Sequence, residues 1–265
     1  MKYKRVRGII SVSADPRGKP SSAAGKPRST QQPKGRKTER VTDRTIFLSR
    51  SALAEELPEY EQHYYIEPAK RRAPFAYRFF KRAADIVLSA IGIIVCFIPT
   101  LIICAVVAID SPGAPIFTQT RLGRGGKPFR ILKIRTMRLD AEDDGPRWAM
   151  DNDERCTRTG NRLRRYHLDE LPQLWNILKG DMSFVGPRPE RPCFYEEFER
   201  YIHGFENRLA VRPGLTGLAQ VSGGYDLPPE EKIVYDMEYI NNCTPAMDIK
   251  CIVKTVGAVF RGDGK

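Results

Sequence analysis

IVLSAIGIIVCFIPTLIICAVVAI, residues 86–109, is a run of 24 residues without a charge. As a straight helix it would extend about 36 Å, enough for a bilayer core of about 30 Å. Pro99 stands near its middle, where it removes a backbone hydrogen bond and kinks a helix. The legs on either side, 86–98 and 100–109, are roughly 20 Å and 15 Å long, each about half the core. Cations flank both ends: Arg71, Arg72, Arg78, Lys81 and Arg82 before, Arg121, Arg124, Lys127 and Arg130 after. Positive charge on both sides places both ends in the cytoplasm. The expectation is a segment that dips into the membrane, turns at Pro99 and returns. Composition alone leaves a single straight span as the alternative.

Upstream, PFAYRFFKRAAD (residues 74–85) mixes aromatics with cations, a pattern suited to the headgroup level. Lys81, Arg82 and Asp85 share one helical face by spacing. They either grip a lipid phosphate or fix the helix end. Residues 11–45 are rich in Ser, Pro, Gly, Lys, Arg and Gln, and too poor in large apolar residues to fold alone. Residues 46–67 are more acidic and read as a short helix or a docking segment. Of the formal net charge of +12, residues 1–50 supply +11, from 14 Lys/Arg against 3 Asp/Glu. A basic tail on a nearly balanced body argues against a nucleic-acid-binding domain, so no nucleic-acid partner is expected. Six cysteines form no CxxC pair and no zinc pattern with the three histidines, which suggests reduced, cytosolic thiols.

Downstream, IFTQTRLGRGGKPFRILKIRTM (residues 116–137) reads as a β-hairpin around a Gly-rich turn at Gly123–Gly126. It is not a phosphate loop, because the earlier Gly is missing and Pro128 stands where Ser or Thr is needed. Lys133 and Arg135 alternate with Leu132 and Ile134, so they share a polar face that faces either a site or solvent. Residues 138–161 form a long charged connection whose acidic clusters do not match a calcium loop. Then comes RLRRYHLDELPQLWNILKGDMSFVGPRP, residues 162–189. Leu171, Leu174, Trp175 and Leu178 recur at helical spacing and predict a buried face. Pro172 is tolerable only in a first turn, so the helix starts within a residue or two of Asp169. At a helix mouth Asp169 is kept ionised by the dipole and the free N–H groups. As a lone residue it would read as an N-cap. Its neighbour Glu170 and the surrounding cations Arg162, Arg164, Arg165, Lys179 and Arg188 suggest either a salt-bridge lattice or a site for phosphate and a divalent metal. Pro187 and Pro189 stiffen the backbone around Arg188, a way to clamp an anion. Phe194, Phe198, Tyr201, Ile202, Phe205 and Leu209 predict one long amphipathic helix. The turn at 212–217 offers N–H groups and the cation Arg212. Two amphipathic stretches follow, 229–241 and 246–260, the last suited to a membrane surface.

Several of these motifs, in this order, resemble the bacterial sugar transferases, the monotopic polyprenyl-phosphate phosphoglycosyl transferases. They are Lys81-Arg82-x-x-Asp85, the Pro-broken apolar run, His167-Leu168-Asp169-Glu170-Leu171-Pro172-Gln173, Lys179-Gly180-Asp181-Met182-Ser183, Gly186-Pro187-Arg188-Pro189 and Arg212-Pro213-Gly214-Leu215-Thr216-Gly217. The resemblance covers about residues 75–260. It implies an α+β, mainly helical fold: a re-entrant membrane helix hairpin and a small cytoplasmic catalytic domain with a β-hairpin and amphipathic interfacial helices. The expected organisation is a basic, largely disordered extension at 1–70, a membrane anchor at 71–112 and a catalytic domain at 113–265. The resemblance further implies transfer of a sugar phosphate from a UDP-sugar to undecaprenyl phosphate with Mg²⁺ and loss of UMP, at the cytoplasmic face of the bacterial inner membrane. Asp169 would be the nucleophile and Glu170 its partner, both candidates for the metal. Lys133, Arg164, Arg188, Arg212, Lys81 and Arg82 would hold phosphate groups. Many members have Ser-Pro at the membrane break; this chain has Ile98-Pro99. The sugar and any homo-oligomeric state are left open. The competing reading is a non-catalytic membrane-tethered scaffold whose basic tail binds lipid or nucleic acid.

Overall fold

The computed structural model describes residues 10–12, 63–70, 73–143, 145, 153–223 and 227–262. Most of the N-terminal tail and most of the acidic connection at 144–152 lie outside the described residues, as do the expectations made for them. The described part is mostly helical with small sheets. Helix α1, Phe75–Asp110, contains the whole uncharged run, with Pro99 inside it. It is long and apolar enough to cross a membrane, and only 6% of its most apolar window is buried. A core helix of a soluble body would bury most of that window.

Strands β3 (Ile116–Leu122) and β4 (Pro128–Ile134) form an antiparallel hairpin, with Ile116 opposite Ile134 and Phe117 opposite Lys133. Gly125 and Gly126 take positive φ in its turn, which a side chain would resist. Next come α2 (Arg158–Arg165), a 3₁₀ turn Leu168–Glu170, and α3 (Gln173–Lys179). Asn176 explains how α3 is fixed. Its Oδ1 accepts from Leu132 N at 3.0 Å and its Nδ2 donates to the Arg130 carbonyl at 2.8 Å. The side chain thus completes the free edge of β4 as a neighbouring strand would. Gly180, at φ 101°, ends α3 and donates to the carbonyls of Asn176 and Ile177.

Strand β5 (Ser183–Val185) leads into the Gly-Pro-Arg-Pro segment. It is followed by α4 (Pro192–Glu199), β6 (Ile202–His203), β7 (Gly214–Thr216), α5 (Leu218–Gly223), α6 (Pro229–Asn242) and α7 (Pro245–Arg261). The stripe from Phe194 to Leu209 is not one helix. The helix ends at Glu199, strand β6 follows, and Gly204 at φ 88° leads into the 3₁₀ turn Phe205–Ala210. Phe194, Phe198, Ile202 and Phe205 still meet, in a core completed by Ile233 and Met237 of α6. Trp175 also departs from its predicted place: the inward face of α3 carries Gln173, Leu174, Asn176 and Ile177, and Trp175 is 56% exposed.

Strands β1 (Ile10–Val12) and β2 (Tyr64–Ile66) lie in the stretch expected to be disordered or helical. Strand β2 pairs in parallel with β6, and β1 pairs antiparallel with β2. Ile66 is buried in the main core. Tyr-Tyr-Ile has the aromatic and β-branched character that favours a strand once a partner edge exists. The partner is far away in sequence, which is why the local pattern did not reveal it.

The two ends of α1 are both fastened to this body. At one end Lys81 Nζ meets Asp248 Oδ2 at 2.9 Å. Arg82 donates to the carbonyls of Ile177 and Leu178 at 2.7 and 2.8 Å. Asp85 accepts from Ser183 Oγ and Phe184 N, both at 3.1 Å. At the other end Arg135 of the loop after β4 donates to the carbonyls of Ser111 and Pro112.

Asn176→Ala should leave buried backbone groups of β4 unpaired and cost roughly 2–4 kcal/mol. Thermal unfolding in detergent should show a Tm lower by roughly 5–10 °C. Arg124→Ala, on the exposed hairpin turn, should leave the Tm unchanged.

Candidate functional site

The 3₁₀ turn Leu168–Glu170 is entered through His167, the one non-glycine residue with positive φ (55°) among the described residues. Leu168 packs on Val107, Ile134 and Leu163. Between these anchors the turn holds Asp169 and Glu170, only 5% and 6% exposed. The α-helix proper begins four residues after Asp169, so Asp169 sits within a tight turn and not at an N-cap.

Three cations converge on this pair from different elements. Lys133 of β4 puts Nζ 2.7 Å from Glu170 Oε1 and 3.6 Å from Asp169 Oδ2. Arg188 places Nη2 2.8 Å from the same Glu170 Oε1. Arg164 of α2 bonds Thr136 Oγ1 through Nε at 3.0 Å and lowers the Asp169 pKa by its charge. Burial alone would raise the Glu170 pKa; the charges of Arg188 and Lys133 overcome it and hold this carboxylate well below its usual range. Asp169 differs. Burial pushes its pKa up, and Lys133 offsets this only in part. The expected helix-mouth position is corrected: Asp169 lies in the 3₁₀ turn, and burial is the largest influence on its pKa, in the upward direction. Two carboxylates against three cations leave a positive balance, suited to an anionic ligand.

Arg188 owes its place to rigid surroundings. Strands β5 and β7 pair in parallel, with Ser183 opposite Gly214 and Val185 opposite Thr216. A Cβ on Gly186 would collide with the Arg212 carbonyl, so only glycine allows this approach. The Arg188 carbonyl accepts from Arg208 Nη2 at 3.0 Å. Arg208 is in turn paired with Asp236 at 2.6 Å, both side chains 2% exposed.

The other three predicted phosphate ligands are placed elsewhere. Lys81 is paired with Asp248, Arg82 caps the C-terminal end of α3, and Arg212 donates Nε to the Gly180 carbonyl at 2.9 Å. Arg82 and Arg212 thus occupy the end of α3 opposite the dyad, and Lys81 faces α7. Sequence reading missed His167, whose pKa burial lowers and which feels the charges of Glu170, Arg188 and Asp169. It also missed Asp153, held down at about 2 by its hydrogen bonds with Arg155 and close enough to Arg164 to feel its charge. The positive φ of His167 carries no local signal, whereas the Asp153–Arg155 pair lies two residues apart and was legible as a local carboxylate–guanidinium pair.

No cluster of three or more His, Cys, Asp or Glu side chains with metal-binding geometry occurs among the described residues. The dyad still fits Mg²⁺, which is commonly held by one or two carboxylates together with substrate phosphates. Glu170 Oε1 is taken by Lys133 and Arg188; its other oxygen and both oxygens of Asp169 accept no protein hydrogen bond among the described residues. These are hard oxygen donors, as the ion requires.

Residues 76–262 match the bacterial sugar transferase family. The chain is 42% identical over 192 residues to the UDP-N-acetylgalactosamine-undecaprenyl-phosphate N-acetylgalactosaminephosphotransferase of Aeromonas hydrophila, covering 71% of this chain and 45% of that protein. It is 41% identical over 192 residues to the UDP-glucose:undecaprenyl-phosphate glucose-1-phosphate transferase of Escherichia coli K12, covering 70% and 40%. It is 41% identical over 191 residues to the transferase of the same name from Caulobacter vibrioides, covering 69% and 70%. The chain thus spans less than half the length of the first two. With the match running from the start of α1 to the end of α7, this chain belongs to the bacterial sugar transferase family.

Proposed function

We propose that this protein transfers a sugar-1-phosphate from a UDP-sugar to undecaprenyl phosphate, releasing UMP, as the first membrane step of exopolysaccharide or glycoconjugate synthesis. The observation that carries this reading is the buried Asp169–Glu170 pair ringed by Lys133, Arg164 and Arg188 beside a membrane-entering helix. In the first step an Asp169 oxygen attacks the sugar-proximal phosphorus. The bond to the bridging pyrophosphate oxygen breaks and UMP leaves with its electron pair. In the second step a phosphate oxygen of the lipid acceptor attacks the same phosphorus and Asp169 is displaced. One site thereby serves a soluble donor and a lipid acceptor in turn.

Each residue has a stated part. A carboxylate approaching a pyrophosphate meets repulsion, which Lys133, Arg164 and Arg188 offset. Glu170, ionised through its two cations, holds them in place and offers its remaining oxygen. Asp169 and Glu170 would hold Mg²⁺, which supplies charge neutralisation at the phosphoryl oxygens. Burial raises the affinity of Asp169 for a proton and also makes its ionised form a less solvated nucleophile.

The membrane reading has support from geometry. Lys81, Arg82 and Asp85 at one end of α1, and Ser111 and Pro112 at the other, bond to the same folded body. A straight span would separate those ends by the bilayer, whereas a re-entrant path returns both to one face. Leu174 rests on the first leg at Gly92 and Leu168 on the second leg near Val107, so the dyad lies over the stretch of α1 around Pro99. Helix α7 adds an exposed apolar stripe at Ile249, Val253, Val256 and Phe260, a face suited to the lipid interface. We place the body at the cytoplasmic face, because the flanking loops are cationic.

Asp169→Asn should abolish labelling of the protein by a UDP-sugar carrying ³²P in the sugar-proximal phosphate; normal labelling would remove Asp169 as nucleophile. Lys133→Met should lower UMP release at least about 10²-fold, measured with undecaprenyl phosphate present. A scaffold would release no UMP even as wild type. Tags at both termini should be reachable only from the cytoplasm. An extracellular C-terminus with a cytoplasmic N-terminus would defeat the re-entrant path.

A further inference from the structure

Helix α3 lies lengthwise on the first leg of α1. Arg82 holds its last carbonyls, and Leu174 stands over Gly92, where a Cβ would come 3.1 Å from Leu174 Cδ1. Arg82 and Gly92 are ten residues apart, about 15 Å along a helix. The dyad-bearing end of α3 therefore points away from the charged lead-in of α1 and toward Pro99. The core and β4 take Gln173, Leu174, Asn176 and Ile177. On the outward side are Trp175 and, one turn on, Lys179, both exposed. Half-buried Leu171 and Leu178 lie between Trp175 and the α1 side of α3. Leu88 and Val95, one turn either side of Gly92, are exposed as well. The indole and these α1 side chains are therefore exposed on two helices packed together at Leu174 and Gly92, and the helix bearing the indole follows directly on the dyad's turn.

We propose that Trp175 is a lipid contact, seated at the boundary between headgroups and acyl chains, and that it sets the depth at which Asp169 meets the membrane. The inference rests on reading α1 as membrane-embedded. Trp is suited to that layer, because its body is apolar and its N–H needs a polar partner. Lys179 on the same face can extend its ammonium to lipid phosphate. Helix α3 is rigidly tied to β4 by Asn176 and to α1 by Arg82, so the depth of its indole is the depth of the dyad.

The test uses the full chain with its other tryptophan replaced, Trp148→Phe, in vesicles of phosphatidylethanolamine and phosphatidylglycerol. Acyl chains brominated close to the headgroup should quench Trp175 emission at least about twofold, while aqueous iodide should have little effect. Quenching by iodide and not by bromine would overturn the proposal in favour of a solvent-facing indole. Quenching by neither would overturn it in favour of a contact with a second copy. Should Trp148→Phe fail to fold, the wild type labelled with 5-fluorotryptophan gives the same readout by ¹⁹F relaxation from a lipid-borne spin label, with Trp175→Phe assigning the resonance. Neither measurement needs turnover, so a failure here is distinguishable from a failure of the transferase reading. In turnover, Trp175→Ala should raise the KM for the lipid acceptor about tenfold and leave labelling by the nucleotide sugar unchanged. Trp175→Tyr should restore it.

Discussion

Glu170 Oε1 is shared between Lys133 and Arg188, and much of the body is arranged so that these three groups can meet. Lys133 arrives on the hairpin, Arg188 on the segment after β5, and Glu170 on the turn before α3. Each of these elements is separately anchored: β4 by Asn176, the Gly-Pro-Arg-Pro segment by Arg208 and Asp236, and the turn by Leu168. A charged group this deeply buried is costly unless it is paired. The pairing therefore also selects the one mutual arrangement in which desolvation is offset. Asp169, with only a distant contact to Lys133, is the less satisfied partner and the one left open to chemistry.

Much of this could be read from the chain. The alternation in β4 put Lys133 on one face, and the two prolines announced that Arg188 stands on a stiff backbone. Pro172 signalled a nearby helix start but placed it too early: the α-helix begins at Gln173, and Asp169 stays in the preceding 3₁₀ turn. Other features depend on contacts that spacing does not encode. Arg82 and Arg212 are cations near a motif, and nothing local distinguishes a phosphate ligand from a cap on the carbonyls of α3. Trp175 fits the apolar period of its helix but falls beyond the arc that the core occupies. The helix expected through Phe205 ends at Glu199, because Ile202 and His203 are taken into a strand that pairs with β2, a partner far away in sequence.

The N-terminal end of α1 meets the body through a polar network, while Ile93, Ile103 and Val107 further along pack on apolar side chains. Asp248 accepts from Tyr77 at 2.8 Å, Tyr239 at 2.7 Å and Lys81 at 2.9 Å, and Tyr239 also reaches the Val185 carbonyl at 3.2 Å. Hydrogen bonds are directional, so this junction fixes the rotation of α1 about its own axis as well as its position. The route from Lys81 through Tyr239 to Val185 ends just before the segment that presents Arg188.

The match to the family begins at residue 76, yet Ile66 lies in the main core and β2 is stitched to β6, to Tyr201 and to Asn207. The parallel pairing means that a pull on the tail would load β2 in shear against the body. Tension from anything holding the basic tail would thus be taken up at β6 before it reached α1.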